Sequence, residues 1–307
     1  MIEKYNSIAY LKDLAVAENK KISQLVFEEQ IVSMGDSGEE IFKTMSDNYD
    51  VMIQSINDGF DDKLRSTSGI TGGDAARFKK YMQEKTTLTG DVMCNALSSA
   101  IAVSEYNAAM GKIVAAPTGG SCGILPAALV TIQKKFNLDT KDVVMSMFTA
   151  GAVGMVIANC ASLSGAEGGC QAECGSAAAM AAAALTELSG GTPEMVENSV
   201  AIALKNILGL VCDPVAGLVE VPCIKRNASG VANAFISAEL ALAGIKSVIP
   251  ADEVIIAMKK VGDMMHPSLK ETANGGLAKT PTAKRLYEKI FGTDKSSACA
   301  NCNNKCQ

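Results

Sequence analysis

Three cysteines stand apart because each is flanked by residues that end or bend regular structure. They are Cys170 in Gly168-Gly169-Cys170-Gln171, Cys212 in Leu210-Val211-Cys212-Asp213-Pro214, and Cys223 in Val221-Pro222-Cys223-Ile224. Glycine and proline at such positions leave a side chain standing at the end of an element. Three thiols at turns are what a metal cluster needs from a protein. Their intervals, 42 and 11 residues, differ from the paired Cys-x-x-Cys knuckles of structural zinc sites. Ligands this widely separated must be brought together by the fold.

The other chemically suggestive stretch is Ala116-Pro117-Thr118-Gly119-Gly120-Ser121-Cys122-Gly123. A short apolar run enters this glycine-rich turn and a helix leaves it, so backbone amides gather at a helix N-terminus and attract an anion. It lacks the terminal Gly-Lys-Ser/Thr of a P-loop. A substrate carboxylate is the better fit, with Thr118 and Ser121 as donors, and a tight interhelical turn is the plain alternative. Ser162 to Gly169 brings unencumbered backbone close to whatever Cys170 binds. Lys225 and Arg226, beside the third cysteine, either offset thiolate charge, hold a carboxylate, or form a solvated helix start. Asp74, in STSGITGGDAA, reads as a helix cap or a substrate contact. Cys94, Cys122, Cys160 and Cys174 read as small buried hydrophobes. His266, the single histidine, lies between a Met pair and a proline and reads as structural.

The segments SLSGAEGGCQAE, GLVCDPVAGLVEVPCIKRN and KETANGGLAKTP together resemble the catalytic chain of the iron-sulfur-dependent L-serine dehydratases, and APTGGSCGILPA is similar to that family's upstream active-site loop. The resemblance runs over roughly residues 60 to 290. It implies that Cys170, Cys212 and Cys223 hold a 4Fe-4S cluster with one iron open to L-serine. It also implies that Thr118, Gly119, Ser121, Ser164, Gly165 and Asn227 contact the substrate. The implied activity is L-serine ammonia-lyase, a step of amino-acid catabolism. Within this chain the candidates for a catalytic base are Ser121 and Lys225. Members of that family often carry a histidine-bearing SHT-type segment on a second domain or a separate β chain, and no such segment occurs here. The expected partner is therefore a β chain. Some relatives use a tail cysteine as a temporary ligand, a role that would fall to Cys306. A related cluster-dependent cysteine desulfidase and a non-catalytic zinc or redox module are the alternatives. A pyridoxal enzyme is disfavoured because no lysine sits in a convincing Schiff-base motif.

The elements that must position these residues are helical. The 307 residues, 48% hydrophobic and 20% charged, suffice for a sizeable core. A net charge of −5 and the absence of Trp give no basis for expecting nucleic acid. Ten cysteines would suit a disulfide scaffold in a short secreted chain, but the mixed, charged start MIEKYNSIAYLKDLAVAENKK does not read as a signal peptide, so reduced thiols in a cytoplasm are expected. Apolar spacing through Ile22, Leu25, Val26 and Val32, with Ser23 as a possible cap, predicts one helix, and Ile41 to Ile56 predicts a second after Ser37. Further helices are expected over Thr89–Met110, Ser176–Leu188, from Pro193, over Ala228–Gly244 and over Val248–Asp263. The uncharged stretch from Val143 to Ala166 has a membrane span's length, yet it lacks basic flanks and aromatic belts and predicts a buried core helix. The expectation is an all-α chain: one compact helical domain over residues 1–292 with an Ala/Gly-rich core and loop-borne ligands, then a flexible Cys-rich tail over 293–307.

Overall fold

The computed structural model describes residues 6–292 and is all-α. Its helices are α1 (Ile8–Ala17), α2 (Ile22–Met34), α3 (Gly38–Gly59), α4 (Asp74–Glu84), α5 (Gly90–Ala108), α6 (Ile124–Phe136) and α7 (Thr140–Cys160). After the short α8 (Gly165–Gly168) come α9 (Cys170–Leu188), α10 (Pro193–Lys205), α11 (Cys223–Leu242), α12 (Ala251–Met264) and α13 (Pro281–Phe291). Among the described residues the nearest thing to a strand is a single parallel bridge between Cys212 and Lys270. The tail from 293 onward, with Cys306, lies outside the described residues.

Helix α9 is the axis of the core. Alanine, the best helix former, is its commonest residue, and every residue from Cys174 to Glu187 is buried. A helix apolar on all faces must be surrounded, and α6, α7, α10 and α11 pack around it. The expected core helix is α7, which ends at Cys160. It is long and apolar enough to cross a membrane, and 67% of its most apolar stretch is buried inside the protein.

Helix starts follow local chemistry in several places. Ser37 and Glu40 form a reciprocal capping box on α3. Thr192 caps α10 ahead of Pro193, and Thr280 does the same for α13 ahead of Pro281. Two expected caps are corrected. Ser23 lies inside α2, and its amide donates to buried Glu187 on α9, 3.2 Å away. Asp74 is the first residue of α4, whose leading amides, at Asp74 and Ala75, are received by buried Glu105 of α5 at 3.0 and 3.1 Å. In both cases a carboxylate from a distant helix takes the role that a local side chain was expected to fill.

Candidate active site

Two of the three singled-out cysteines are not on loops. Cys170 and Cys223 are the first residues of α9 and α11, where unpaired helix amides favour a thiolate. Cys212 sits in the connection between α10 and α11. Its amide donates to Leu269 O and its carbonyl accepts from Glu271 N, both at 2.8 Å. Asp213 extends the fastening by accepting the Leu277 amide at 2.8 Å. On the other side, Gln171 receives the Gly209 amide and donates to Met258 O, each at 2.9 Å, and its own amide donates to Leu210 O. These bonds gather residues 165–173, 209–213 and 269–277 into one place.

All three thiols are buried, between 2% and 7% exposed, and lie near enough to act on one another's charge. Burial, then the Cys170 charge, pushes Cys212 well up. Burial and the Cys170 charge likewise push Cys223 to about 12. Cys170 moves the other way, held low by the hydrogen bond it shares with Cys174, 3.3 Å between sulfurs, with help from Arg226. Arg226 donates to Val211 O at 2.7 Å and to Asp213 at 2.9 Å, so it is fixed against the cluster of thiols. Its neighbour Lys225 points away, with its side chain 59% exposed and paired to Asp74 at 2.5 Å.

The Thr118–Gly123 loop forms the adjoining wall. Its anion is internal: Thr118 donates its hydroxyl to Glu173 of α9, and the Gly120 backbone also bonds that carboxylate. A Cβ on Gly120 would collide with the same carboxylate, so only glycine allows this approach. Ser121 is fully buried, its Oγ 3.1 Å from Thr118 Oγ1. Gly119 accepts from Asn107 through its carbonyl at 3.0 Å. Asn227, 1% exposed, joins the loop to α11: it accepts the Gly123 amide at 2.9 Å and donates to Gly120 O at 2.7 Å and to Cys223 O at 3.0 Å. Ser164 caps α8 by accepting the Ala166 amide at 3.2 Å. A Cβ on Gly165 would sit 3.0 Å from Cys212 Sγ and 3.4 Å from Glu271 Oε2.

Sequence reasoning had passed over Glu173 and Glu271, although both lie inside the quoted motifs. The available signal was Glu173's position one residue short of a helical turn after Cys170, on the same side of α9. Cys94, Cys122 and Cys174 are buried, as read, though Cys174 also contacts Cys170; Cys160, at the end of α7, is only half-buried and donates to Asn6 O at 3.2 Å. His266 is exposed and caps a 3-10 turn by accepting the Ser268 amide at its Nδ1, 3.2 Å away, with the Ser268 hydroxyl 2.8 Å from the same nitrogen.

The donor set has the chemistry of an iron-sulfur centre: three buried thiols, two at helix N-termini, beside a guanidinium that offsets their charge. Among the described residues no three His, Cys, Asp or Glu side chains crowd around a single-ion position. Thiolates on a polynuclear core stand farther apart than those on one ion, because irons and sulfides fill the space between them.

The family model for the serine dehydratase alpha chain matches residues 17–278. The chain is 48% identical over 288 residues to the probable L-serine dehydratase, alpha chain, of Bacillus subtilis, covering 94% of this chain and 96% of that one. It is 46% identical to the L-serine dehydratase, alpha chain, of Peptoniphilus asaccharolyticus, over 92% of this chain and 96% of the relative. L-serine dehydratase 2 of Escherichia coli is 36% identical over 89% of this chain, which spans 61% of that longer protein. On this match and on motifs that converge in one buried place, the chain belongs to the serine dehydratase alpha chain family.

Proposed function

We propose that this chain is the catalytic α chain of an L-serine ammonia-lyase that removes water and then ammonia from L-serine to give pyruvate. The observation that carries the reading is the meeting of Cys170, Cys212 and Cys223, buried and electrostatically coupled, within the matched family region. In this reading they hold a 4Fe-4S cluster. With three protein ligands, such a cluster supplies an open iron as a Lewis acid for a leaving hydroxide.

The chain's own residues bind and orient. Arg226, fixed by Asp213 and Val211, offsets thiolate charge beside Cys170. Thr118, Gly119, Ser164 and Gly165 form the walls between which the amino acid lies, Ser121 backs Thr118 from inside the protein, and Asn227 keeps the loop in register with Cys223. The bareness of Gly165 leaves room next to Cys212. Loss of the α-proton and the β-hydroxyl gives aminoacrylate, which tautomerises to an imine and hydrolyses to pyruvate and ammonia. For the base, Ser121 is sealed from solvent and bonded to Thr118, while Lys225 is turned toward Asp74. Neither is placed to take the α-proton, and the family resemblance implies that this step falls to the histidine-bearing segment of a second domain or separate β chain. The longer E. coli relative, of which this chain spans 61%, supports a second domain as part of the complete enzyme. All seven described cysteines are free, which fits a reducing cytoplasm.

The test is anaerobic turnover with and without the second chain, measuring pyruvate and ammonia from L-serine, L-threonine and L-cysteine. The reading expects L-serine as the preferred substrate and negligible turnover by the single chain. Preference for L-cysteine with sulfide release would make it a desulfidase, and full serine turnover without a partner would refute the two-chain assignment.

A further inference from the structure

Two carboxylates face the three thiols without a cation of their own. Glu173 lies against Gly120, and Glu271 lies with the Cys212 sulfur against Gly165. The charge of each is felt at the Cys212 thiol, and that of Glu173 at Cys223 as well. Of the cations near Cys223, Arg226 pairs with Asp213 while serving Cys170, and Lys225 pairs with Asp74. Three thiolates and two carboxylates against one guanidinium leave a surplus of negative charge that an iron-sulfur core offsets only in part. Burial and the nearby Glu271 charge raise the cost of ionising Glu173, a cost that an incoming cation removes. Glu173 is also pre-aimed. Thr118 and Gly120 fill two of the acceptor positions on its carboxylate, which has about four, and the rest stay open.

We propose that Glu173, flanked by Glu271, receives the α-ammonium of the substrate and makes the site select amino acids over the corresponding hydroxy acids. This rests on the serine dehydratase reading, since that reading places a small amino acid against the three thiols. An α-hydroxyl can donate one hydrogen bond and carries no charge, so it cannot replace an ammonium between two carboxylates. Glu173 thereby fixes which end of the amino acid is turned away from the cluster.

The experiment uses anaerobically purified holoenzyme and two unreactive probes. L-alanine keeps the ammonium, L-lactate replaces it with hydroxyl, and neither has a β-leaving group. Calorimetric titration of wild type is expected to show L-alanine binding about tenfold or more tighter than L-lactate, the scale of one charge-assisted hydrogen bond. In Glu173→Gln that preference falls to about threefold or less through weaker L-alanine binding. Iron and sulfide content and helical circular dichroism stay at wild-type levels, and KM for L-serine rises more than kcat falls. Glu271→Gln, altering an exposed residue, shows a smaller loss in the same direction. An active, cluster-loaded wild type that lacks the preference overturns the proposal alone. So does a Glu173→Gln that retains the preference or loses its iron. A wild type with no iron or no serine turnover overturns the underlying reading as well.

Discussion

Replacing Asn227 with Ala tests whether the glycine-rich loop is held in place by α11. The side chain is 1% exposed and makes three hydrogen bonds, two of them to the loop, at Gly123 N and Gly120 O. Removing it strands one buried donor and one buried acceptor, each costing about 1–3 kcal/mol. The void is polar, and a water entering it would recover part of that loss. We therefore take the lower half of the range, about 2–4 kcal/mol. At about 2–4 °C per kcal/mol for a domain of this class, the melting temperature should fall by about 4–16 °C. Thermal unfolding of the metal-free chain, followed by circular dichroism, measures it without interference from a cofactor. Asn227→Asp separates hydrogen bonding from volume: it keeps the acceptor for Gly123 and turns the donor toward Gly120 O into a second acceptor, so it should be at least as unstable at neutral pH. A melting temperature for Asn227→Ala within about 2 °C of wild type would show that the loop stands without this residue.

Glu220 is a buried acceptor for Ser68 at 3.0 Å and Thr71 at 2.6 Å. Glu220→Ala should speed amide exchange across residues 66–73 by about tenfold or more, and exchange unchanged within about twofold would contradict this. Lys225→Met should change stability at pH 7 by less than about 1 kcal/mol, since the pair with Asp74 is largely exposed. Lys225 holds the folded Asp74 carboxyl below its ordinary value, so the pair's contribution is present above about pH 4 and vanishes as pH falls further. A stability gap that widens in acid would be the wrong sign. Serine turnover should persist in Lys225→Met, whereas a loss beyond about 100-fold would make Lys225 the base. Because burial raises Cys212 and holds Cys223 near 12, cluster loading should release protons. A pH-stat should record at least one fewer for Cys223→Ala, and equal release would mean that Cys223 is not a ligand.

Helices were legible where the chemistry is local. Ser37 with Glu40, and Thr192 with Pro193, announce α3 and α10 within four residues. The uncharged run after Val143 could be read as core because no charge interrupts its faces and no basic flanks or aromatic belts mark it for a membrane. Reading failed where the partner is far away in sequence. Ser23 and Asp74 have the composition of caps, but Glu187 and Glu105 approach from 164 and 31 residues off and take the amides. The Gly168-Gly169 pair looked like a loop around Cys170, yet α9 begins immediately after it. The motifs announced the thiols but not Glu173, whose partner Thr118 lies 55 residues upstream. Lys225 and Arg226 are equivalent in sequence; only the path of the 211–213 backbone decides that one is fixed beside Cys170 and the other faces solvent.

The central claim is that Cys170, Cys212 and Cys223 jointly hold an iron-sulfur cluster. Counting iron and acid-labile sulfide in anaerobically purified wild type and in Cys212→Ala tests it most directly. The account predicts about four of each per wild-type chain and a marked loss in the variant. Wild type carrying zinc without sulfide, or a Cys212→Ala that keeps its full iron and sulfide, would contradict it.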